Sequence, residues 1–343
     1  MMNSAAKEAP AAVTMGCPAG IGPEIICRLF DRQDFSASGW TIVVGDLAVL
    51  RQAAAKLGMS LPIEPWQPGQ PVKEGIMPVF QVGPLRTAPI RWGQPDTAAG
   101  WVMGQCIEEA VRLVGAKACS AIVTCPISKK SLQAAGYPYP GHTEMLAALT
   151  NSPRVRMMMA GPRLKVVLVT IHVALRQAPA LLSQASVIDC IDMTRTALQR
   201  DFALASPRIA VAGLNPHGGE EGLFGDEEER IIKPALAAFA GDQVSGPWPP
   251  DTVFYQAASG RYDAVIAMYH DQGLIPFKLL HFQDGVNVTL GLPLVRTSVD
   301  HGTAYDIAGK NMADPSSLIA ALEMAQTIVA NRRRGGGACA PAC

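Results

Sequence analysis

The stretch Val13–Phe30, VTMGCPAGIGPEIICRLF, sets the reading of the whole chain. An apolar run ends at Gly16, a turn rich in Pro and Gly follows, and Glu24–Phe30 then shows helical spacing. Pro23 suits the first turn of that helix, where a missing N–H is no loss. The same strand, turn and helix unit recurs downstream. Thr41–Val44 leads into Leu47–Leu57, with Gly58 as a C-cap. A helix is expected over Thr97–Ala116 and a buried strand over Ala121–Thr124, ended at Cys125-Pro126. Leu164–Ile171 and Arg208–Ala212 read as buried strands around a helix at Val187–Phe202. Phe224–Ala240, Ala264–Met268 and Ser316–Ala330 continue the alternation. Prolines recurring through Ser60–Thr97 restrict that part to loop and short strand. Strands alternating with helices predict an α/β fold with a largely parallel sheet covered on both faces.

Composition narrows the function. The chain has 343 residues, room for roughly two domains at ~150 residues each. Hydrophobic residues make up 49% and charged ones 17%, which excludes general disorder. Lys+Arg and Asp+Glu are equal at 29 each, so there is no basic surplus of the kind that nucleic-acid binding uses. No apolar run approaches the ~20 residues of a membrane span. Met1–Ala12 carries a Lys-Glu pair and lacks the apolar core of a signal peptide. Eight cysteines without framework spacing fit reduced thiols in a cytoplasmic protein. Cys339 and Cys343 lie in a Gly/Ala/Pro tail after Arg332–Arg334 that reads as disordered.

Polar chemistry gathers at the strand ends, where open α/β sheets bind ligands. His172, His217 and His270 each follow an apolar run, so three imidazoles can converge on one Zn²⁺ or other divalent ion. A lone loop histidine is more commonly a surface or hydrogen-bonding residue. In Gly141-His142-Thr143-Glu144, Thr143 either caps the following helix or seats a phosphate. Lys278, Asn287 and Arg296 stand in otherwise apolar sequence, answered either by structural ion pairs or by an anionic ligand. Asp300–Lys310 is a polar, Gly-punctuated loop able to approach a flat ligand closely. No GxGxxG follows a strand, and neither a Walker A motif nor a GxSxG elbow occurs. Cys125 is a conceivable nucleophile, but a buried strand-end thiol is the better reading. The residues alone thus indicate a metal-assisted α/β enzyme with an anionic substrate.

Taken together, Gly16–Glu24, Gly141–Glu144, Leu214–His217, Tyr269–Gly273, Gly285–Pro293 and Arg296–Ala304 resemble the 4-hydroxythreonine-4-phosphate dehydrogenase family, in its order and over roughly residues 13–330. Ile275–Leu280 and Tyr305–Gly309 look closest to its branch acting on 4-phosphothreonate. The resemblance implies two α/β/α domains of the isocitrate and isopropylmalate dehydrogenase type, with the active site in the cleft between them. The expected first domain is 1–128 plus 297–330, carrying the cofactor loop. The second is 129–296, with metal, substrate and dimer residues, and 331–343 is the tail. It further implies a divalent metal (Zn²⁺, Mg²⁺, Co²⁺ or Mn²⁺) on His172, His217 and His270, with His270 contributed across a homodimer that shares its active site. Substrate contacts match His142, Thr143, Lys278, Asn287 and Arg296. NAD is expected at His301, Gly302, Asp306 and Asn311. Lys129, Asp251 and Asp271 are the candidates for the proton relay. The expected reaction is NAD- and metal-dependent oxidative decarboxylation of a 4-phosphorylated 3-hydroxy acid. The rivals are a terephthalate-type cis-dihydrodiol carboxylate dehydrogenase and a catalytically inactive metal-binding regulatory protein.

Overall fold

The structure, a computed structural model, describes residues 9–32, 38–84, 88–241 and 243–335. In chain order its elements are β1 (Ala11–Thr14), α1 (Gly22–Asp31), β2 (Thr41–Gly45), α2 (Leu47–Lys56), β3 (Ile63–Pro65), β4 (Met77–Gln81), α3 (Thr97–Gly115), β5 (Ala121–Thr124), α4 (Lys129–Ala134) and α5 (His142–Leu149). There follow β6 (Arg156–Ala160), β7 (Lys165–Leu168), α6 (Ala178–Leu181), α7 (Gln184–Arg200), β8 (Ile209–Ala212), α8 (Lys233–Ala237), β9 (Val244–Trp248) and α9 (Pro250–Ala258). The last are β10 (Ala264–Ala267), α10 (His270–Leu280), β11 (Val286–Leu290), β12 (Val295–Val299) and α11 (Ser316–Gly335). The fold is α/β, as the alternation predicts.

The chain divides into two compact units. The described residues up to Arg154 join Leu292–Val329 in the first, and Val155–Gly291 joins the residues from Ala330 onward in the second. Divisions were expected after 128 and 296. Instead Lys129, His142, Thr143 and Arg296 all belong to the first unit. Two packing facts explain this. Arg296 lies on β12, which pairs in parallel with β5. Leu132 of α4 is buried with Cys17 and Met103 in the core of the first unit, and α4 sits so close to α3 that a Cβ on Gly100 would overlap the Ser131 carbonyl.

In the first unit the strands run β3-β4-β2-β1-β5-β12, every pair parallel. Its helices start on local caps: Asp46 accepts from Ala48 N at 2.7 Å, and Asp96 accepts from Ala99 N at 2.7 Å. The second unit runs β11-β6-β7-β10-β8-β9. Here the parallel expectation needs correction, because β6 is antiparallel to both β11 and β7. The cause is a tight hairpin at Gly161-Pro162, closed by Gly161 N donating to Leu164 O at 2.9 Å. Phe277, Val166, Val265 and Val253 anchor the core of this unit.

Two other expectations change. Phe224–Ala240 is not one helix. A wide π-turn, Glu228–Ile232, precedes α8, and Pro234 has no N–H to continue an α-helical ladder through that junction. The tail does not begin at 331, since α11 runs on to Gly335. Arg332 forks onto the buried Asp201 at 2.7 and 2.9 Å, and Asn331 donates to the Asp201 carbonyl at 2.9 Å, which fixes the last turns. Residues 336–343, with Cys339 and Cys343, lie outside the described residues, as do Met1–Glu8. Among the described residues, no helix is long and apolar enough to cross a membrane.

Candidate active site

In the first unit, β5, β12 and the starts of α4 and α5 bring the basic residues together. Arg296 on β12 is 3% exposed and donates from Nη2 to Thr124 Oγ1 at 2.7 Å. Burial pushes its guanidinium down to about 10, with Glu144 opposing. His142 opens α5. Its Nε2 is closed off from solvent without a hydrogen-bond partner. Burial first, then Arg296 and Lys129, holds its imidazole well below the ordinary value. A Cβ placed on Gly141 would lie 3.3 Å from Glu144 Oε2 and 3.6 Å from Lys129 Cε, so both side chains border the same spot. Thr143 is not the cap, because the N-cap position is Gly141 and α5 has no side-chain cap. Uncapped N–H groups, a buried guanidinium and an enclosed imidazole nitrogen together make a seat for an oxyanion.

The loop Asp300–Asp314 joins β12 to α11 in the same unit. His301 Nδ1 faces the Gly302 carbonyl at 3.0 Å, while its Nε2 is buried with no partner. Gly302 is exposed, with open space beside its Cα. An enclosed ring nitrogen beside open glycine backbone fits a polar, flat ligand such as a dinucleotide. Asp306 is exposed, and Asn311 is left-handed at φ 62° with both its oxygens accepting from Arg28. Burial pushes the Tyr305 phenol up to about 12.

In the second unit, β7 and β10 are parallel neighbours whose C-terminal ends deliver His172 and His270. The two rings are 5.8 Å apart and border a cavity of about 400 Å³ with Tyr269 and Asp271. Asp271 Oδ1 lies 2.7 Å from His270 Nδ1. His217 follows β8 at φ 54°, the first of six consecutive left-handed residues, with its ring against Phe224. Among the described residues no three His, Cys, Asp or Glu side chains are grouped to hold a metal ion. The pair His172 and His270 thus suits two positions on a divalent ion, and His217 is not assembled with it. Asp251 and Asp271 border a second cavity, of about 540 Å³, whereas Lys129 belongs to the basic cluster of the first unit. Lys278 lies half-buried on α10, and Asn287 lies half-buried on β11 opposite Met159. Cys125 is fully buried, and burial pushes its thiol far up, which removes it as a nucleophile.

Three supporting residues were missed. Glu228, 2% exposed, accepts from Leu214 N at 2.7 Å, Asn215 N at 2.8 Å and Asn215 Nδ2 at 2.9 Å, and so fixes the start of the His217 turn. Gln272 accepts from Met268 N and donates to Gly213 O, both at 2.7 Å, tying the strand ends that carry His270 and His217. Glu24, fully buried, accepts from Gly309 N and Ala313 N. Gln272 lies within Tyr269–Gly273 and Glu24 within Gly16–Glu24, and position in a motif does not tell a supporting residue from a ligand.

Polar groups collected at the C-terminal ends of buried parallel strands are the ligand-binding arrangement of an α/β enzyme. The chain belongs to the family described as pyridoxal phosphate biosynthetic protein PdxA, whose model matches residues 38–325. A curated 4-hydroxythreonine-4-phosphate dehydrogenase of Desulfosudis oleivorans is 52% identical over 318 residues, 91% of this chain and 94% of that protein. The crystal structure of the enzyme of that name from Klebsiella pneumoniae superposes with a TM-score of 0.86 at 43% identity, covering 95% of this chain and 99% of that one. A terephthalate 1,2-cis-dihydrodiol dehydrogenase from Burkholderia xenovorans is more distant, at TM-score 0.64 and 29% identity over 94% of this chain and 98% of that one. The resemblance read from the motifs therefore holds, and the chain is an oxidoreductase acting on CH–OH.

Proposed function

We propose that the chain oxidises and decarboxylates a 4-phosphorylated 3-hydroxy acid, with 4-hydroxythreonine-4-phosphate as the first substrate to test and 4-phosphothreonate as the second. The observation that carries this reading is the oxyanion seat built by Arg296, His142 and the uncapped start of α5. Thr143, Lys278 and Arg296 hold the terminal phosphate, and His142 and Asn287 orient the chain behind it. His142 is neutral, so its enclosed Nε2 accepts one hydrogen bond or donates one without adding charge. His301, Gly302, Asp306 and Asn311 receive NAD⁺. The paired His172 and His270 would supply imidazole nitrogens to a divalent ion, with His217 as the third candidate once the shared site of the dimer is assembled. When bound, these groups supply a hydride acceptor and an electrophile for the substrate hydroxyl and carboxylate. The 3-hydroxyl proton passes to Lys129, Asp251 or Asp271, and the β-keto acid so formed loses CO₂ to leave a ketone phosphate.

The partner is a second copy of the chain. On α9, α10 and the turn after α10, Tyr255 (77%), Ile275 (67%), Leu279 (85%) and Phe282 (78%) are exposed together, an apolar surface of the kind that marks interfaces. The identity and TM-score of the Klebsiella enzyme, both above those of the dihydrodiol dehydrogenase, favour a phosphorylated substrate over a cyclic diol acid. NADH formation from matched phosphorylated and unphosphorylated acids tests this directly. Activity only with the phosphorylated acid, and a higher KM for it in Arg296→Ala, is expected. An unchanged KM in that variant removes the phosphate assignment.

A further inference from the structure

The motif Gly16–Glu24 has no part in the chemistry above, yet it meets the loop between β12 and α11 at several points. Ile21 N donates to the Thr303 carbonyl at 3.0 Å, and the Cys17 thiol lies 3.4 Å from the Tyr305 hydroxyl. The approach at Gly20 is close, since a Cβ there would lie 3.0 Å from Thr303 O and the loop would have to give way. Within α1, the fully buried Glu24 accepts from Gly309 N at 3.2 Å with one carboxylate oxygen and from Ala313 N at 3.0 Å with the other. Arg28, one turn on, stands 3.6 Å from Glu24 and donates to the Asn311 carbonyl at 2.7 Å and to the Asn311 side-chain oxygen. Gly309 and Asn311 are both left-handed, at φ 72° and 62°.

We propose that Glu24 and Arg28 are positioning residues for dinucleotide binding, holding residues 309–313 in the conformation that the cofactor meets. The proposal rests on the reading of this loop as the NAD⁺ site. One carboxylate fixes two backbone N–H groups four residues apart, and the guanidinium it pairs with fixes the residue between them. The left-handed turn at Asn311 is thereby tied on both sides and at its centre. A buried carboxylate needs such compensation, and its place in the first turn of α1 adds the favourable helix dipole. Glutamine cannot substitute. It offers one acceptor oxygen, and its amide would set N–H against N–H at the other tie. With the ties cut, the loop is ordered only when the dinucleotide arrives, and binding bears that entropy. Both residues contact this loop and stand outside the basic cluster around Arg296, so the effect is expected on the cofactor alone.

The test uses the full chain and calorimetric titration with NAD⁺, and separately with inorganic phosphate as the probe of the Arg296 cluster. Glu24→Gln and Arg28→Ala are each expected to weaken NAD⁺ about tenfold or more, the equivalent of ordering one or two side chains. Phosphate affinity stays within about twofold, and the KM for NAD⁺ rises while that for the acid does not. Arg28→Lys, which keeps the charge beside Glu24 and one donor, recovers part of the loss. Arg28 is partly exposed, so Arg28→Ala decides the matter even where Glu24→Gln does not fold. Wild-type NAD⁺ affinity in a folded Arg28→Ala or Glu24→Gln variant overturns the proposal, while His301→Ala reports separately on whether the loop binds the dinucleotide. Absence of NAD⁺ and NADP⁺ binding to the wild-type chain overturns both.

Discussion

Replacing Arg296 with Met should stabilise the ligand-free chain while removing its response to phosphate. Arg296 is 3% exposed, and burial lowers its guanidinium from 12.5 to about 10. At about 1.4 kcal/mol per unit, holding the charge in that place costs about 3 kcal/mol. Methionine has a similar unbranched stem and no charge. The substitution does remove the donor to Thr124 Oγ1, a fully buried hydroxyl, at a cost of about 1 kcal/mol. On these two terms the balance is a gain of about 2 kcal/mol, the size found when a whole buried ion pair is replaced by apolar residues. Thermal and urea melts at neutral pH, with and without inorganic phosphate, read it. The wild-type protein should gain stability from phosphate by mass action. The variant should melt several degrees higher without phosphate and show no shift with it. A variant clearly less stable than the wild type without ligand would mean that Arg296 is a structural ion-pair partner, and the oxyanion seat would lose its basis.

His142 gives a pH dependence of defined sign. Its folded-state imidazole titrates well below the ordinary 6.5, so the unfolded chain takes up the proton first and stability falls as pH drops below about 6.5, by at most ~1.4 kcal/mol per pH unit. Melts between pH 7 and 5.5 should show a shallower loss in His142→Asn, and identical slopes would contradict this assignment. In Asp201, burial raises the carboxyl, but Arg332 and then Arg200 more than reverse it and hold it below the usual range. The pair's stabilisation is therefore present at neutral pH and lost as pH falls below about 4. Arg332→Ala should cost about 2 kcal/mol or more at pH 7, and a neutral effect would show that Arg200 suffices. His172→Ala and His270→Ala should each weaken Zn²⁺ or Mn²⁺ binding at least tenfold by calorimetry, and unchanged affinity in both would remove the pair from the metal site.

The buried strands were legible because parallel-sheet strands are apolar on both faces. Ala121–Thr124 was read to the residue, and Ala264–Met268 to within one. Helices with strong caps were also read closely, as in Thr97–Gly115 behind Asp96. β6 was not legible as a strand, nor was its direction, because Met157–Ala160 carries no pattern that tells a hairpin arm from a helix or crossover strand, and only Gly161-Pro162 signals the turn. At the site, residue types made Arg296 an anion-binding candidate while His142 entered only through the family resemblance, and the structure brings these two together. The histidines were named by their strand-end positions. The structure delivers His172 and His270 to one place, while the left-handed turn after Asn215 carries His217 elsewhere, a conformation that a Gly-Gly-Glu-Glu sequence permits without specifying. Glu24 and Glu228 escaped notice because what distinguishes them is burial among backbone N–H groups, which no spacing along the chain records.

The central claim is tested most directly by incubating the purified chain with NAD⁺, a divalent metal and 4-hydroxythreonine-4-phosphate or 4-phosphothreonate, and measuring NADH and released CO₂ together. Equal amounts of the two from a phosphorylated acid, and none from its unphosphorylated counterpart, are the predicted result. NADH without CO₂, or turnover of the unphosphorylated acid at the same rate, would contradict it.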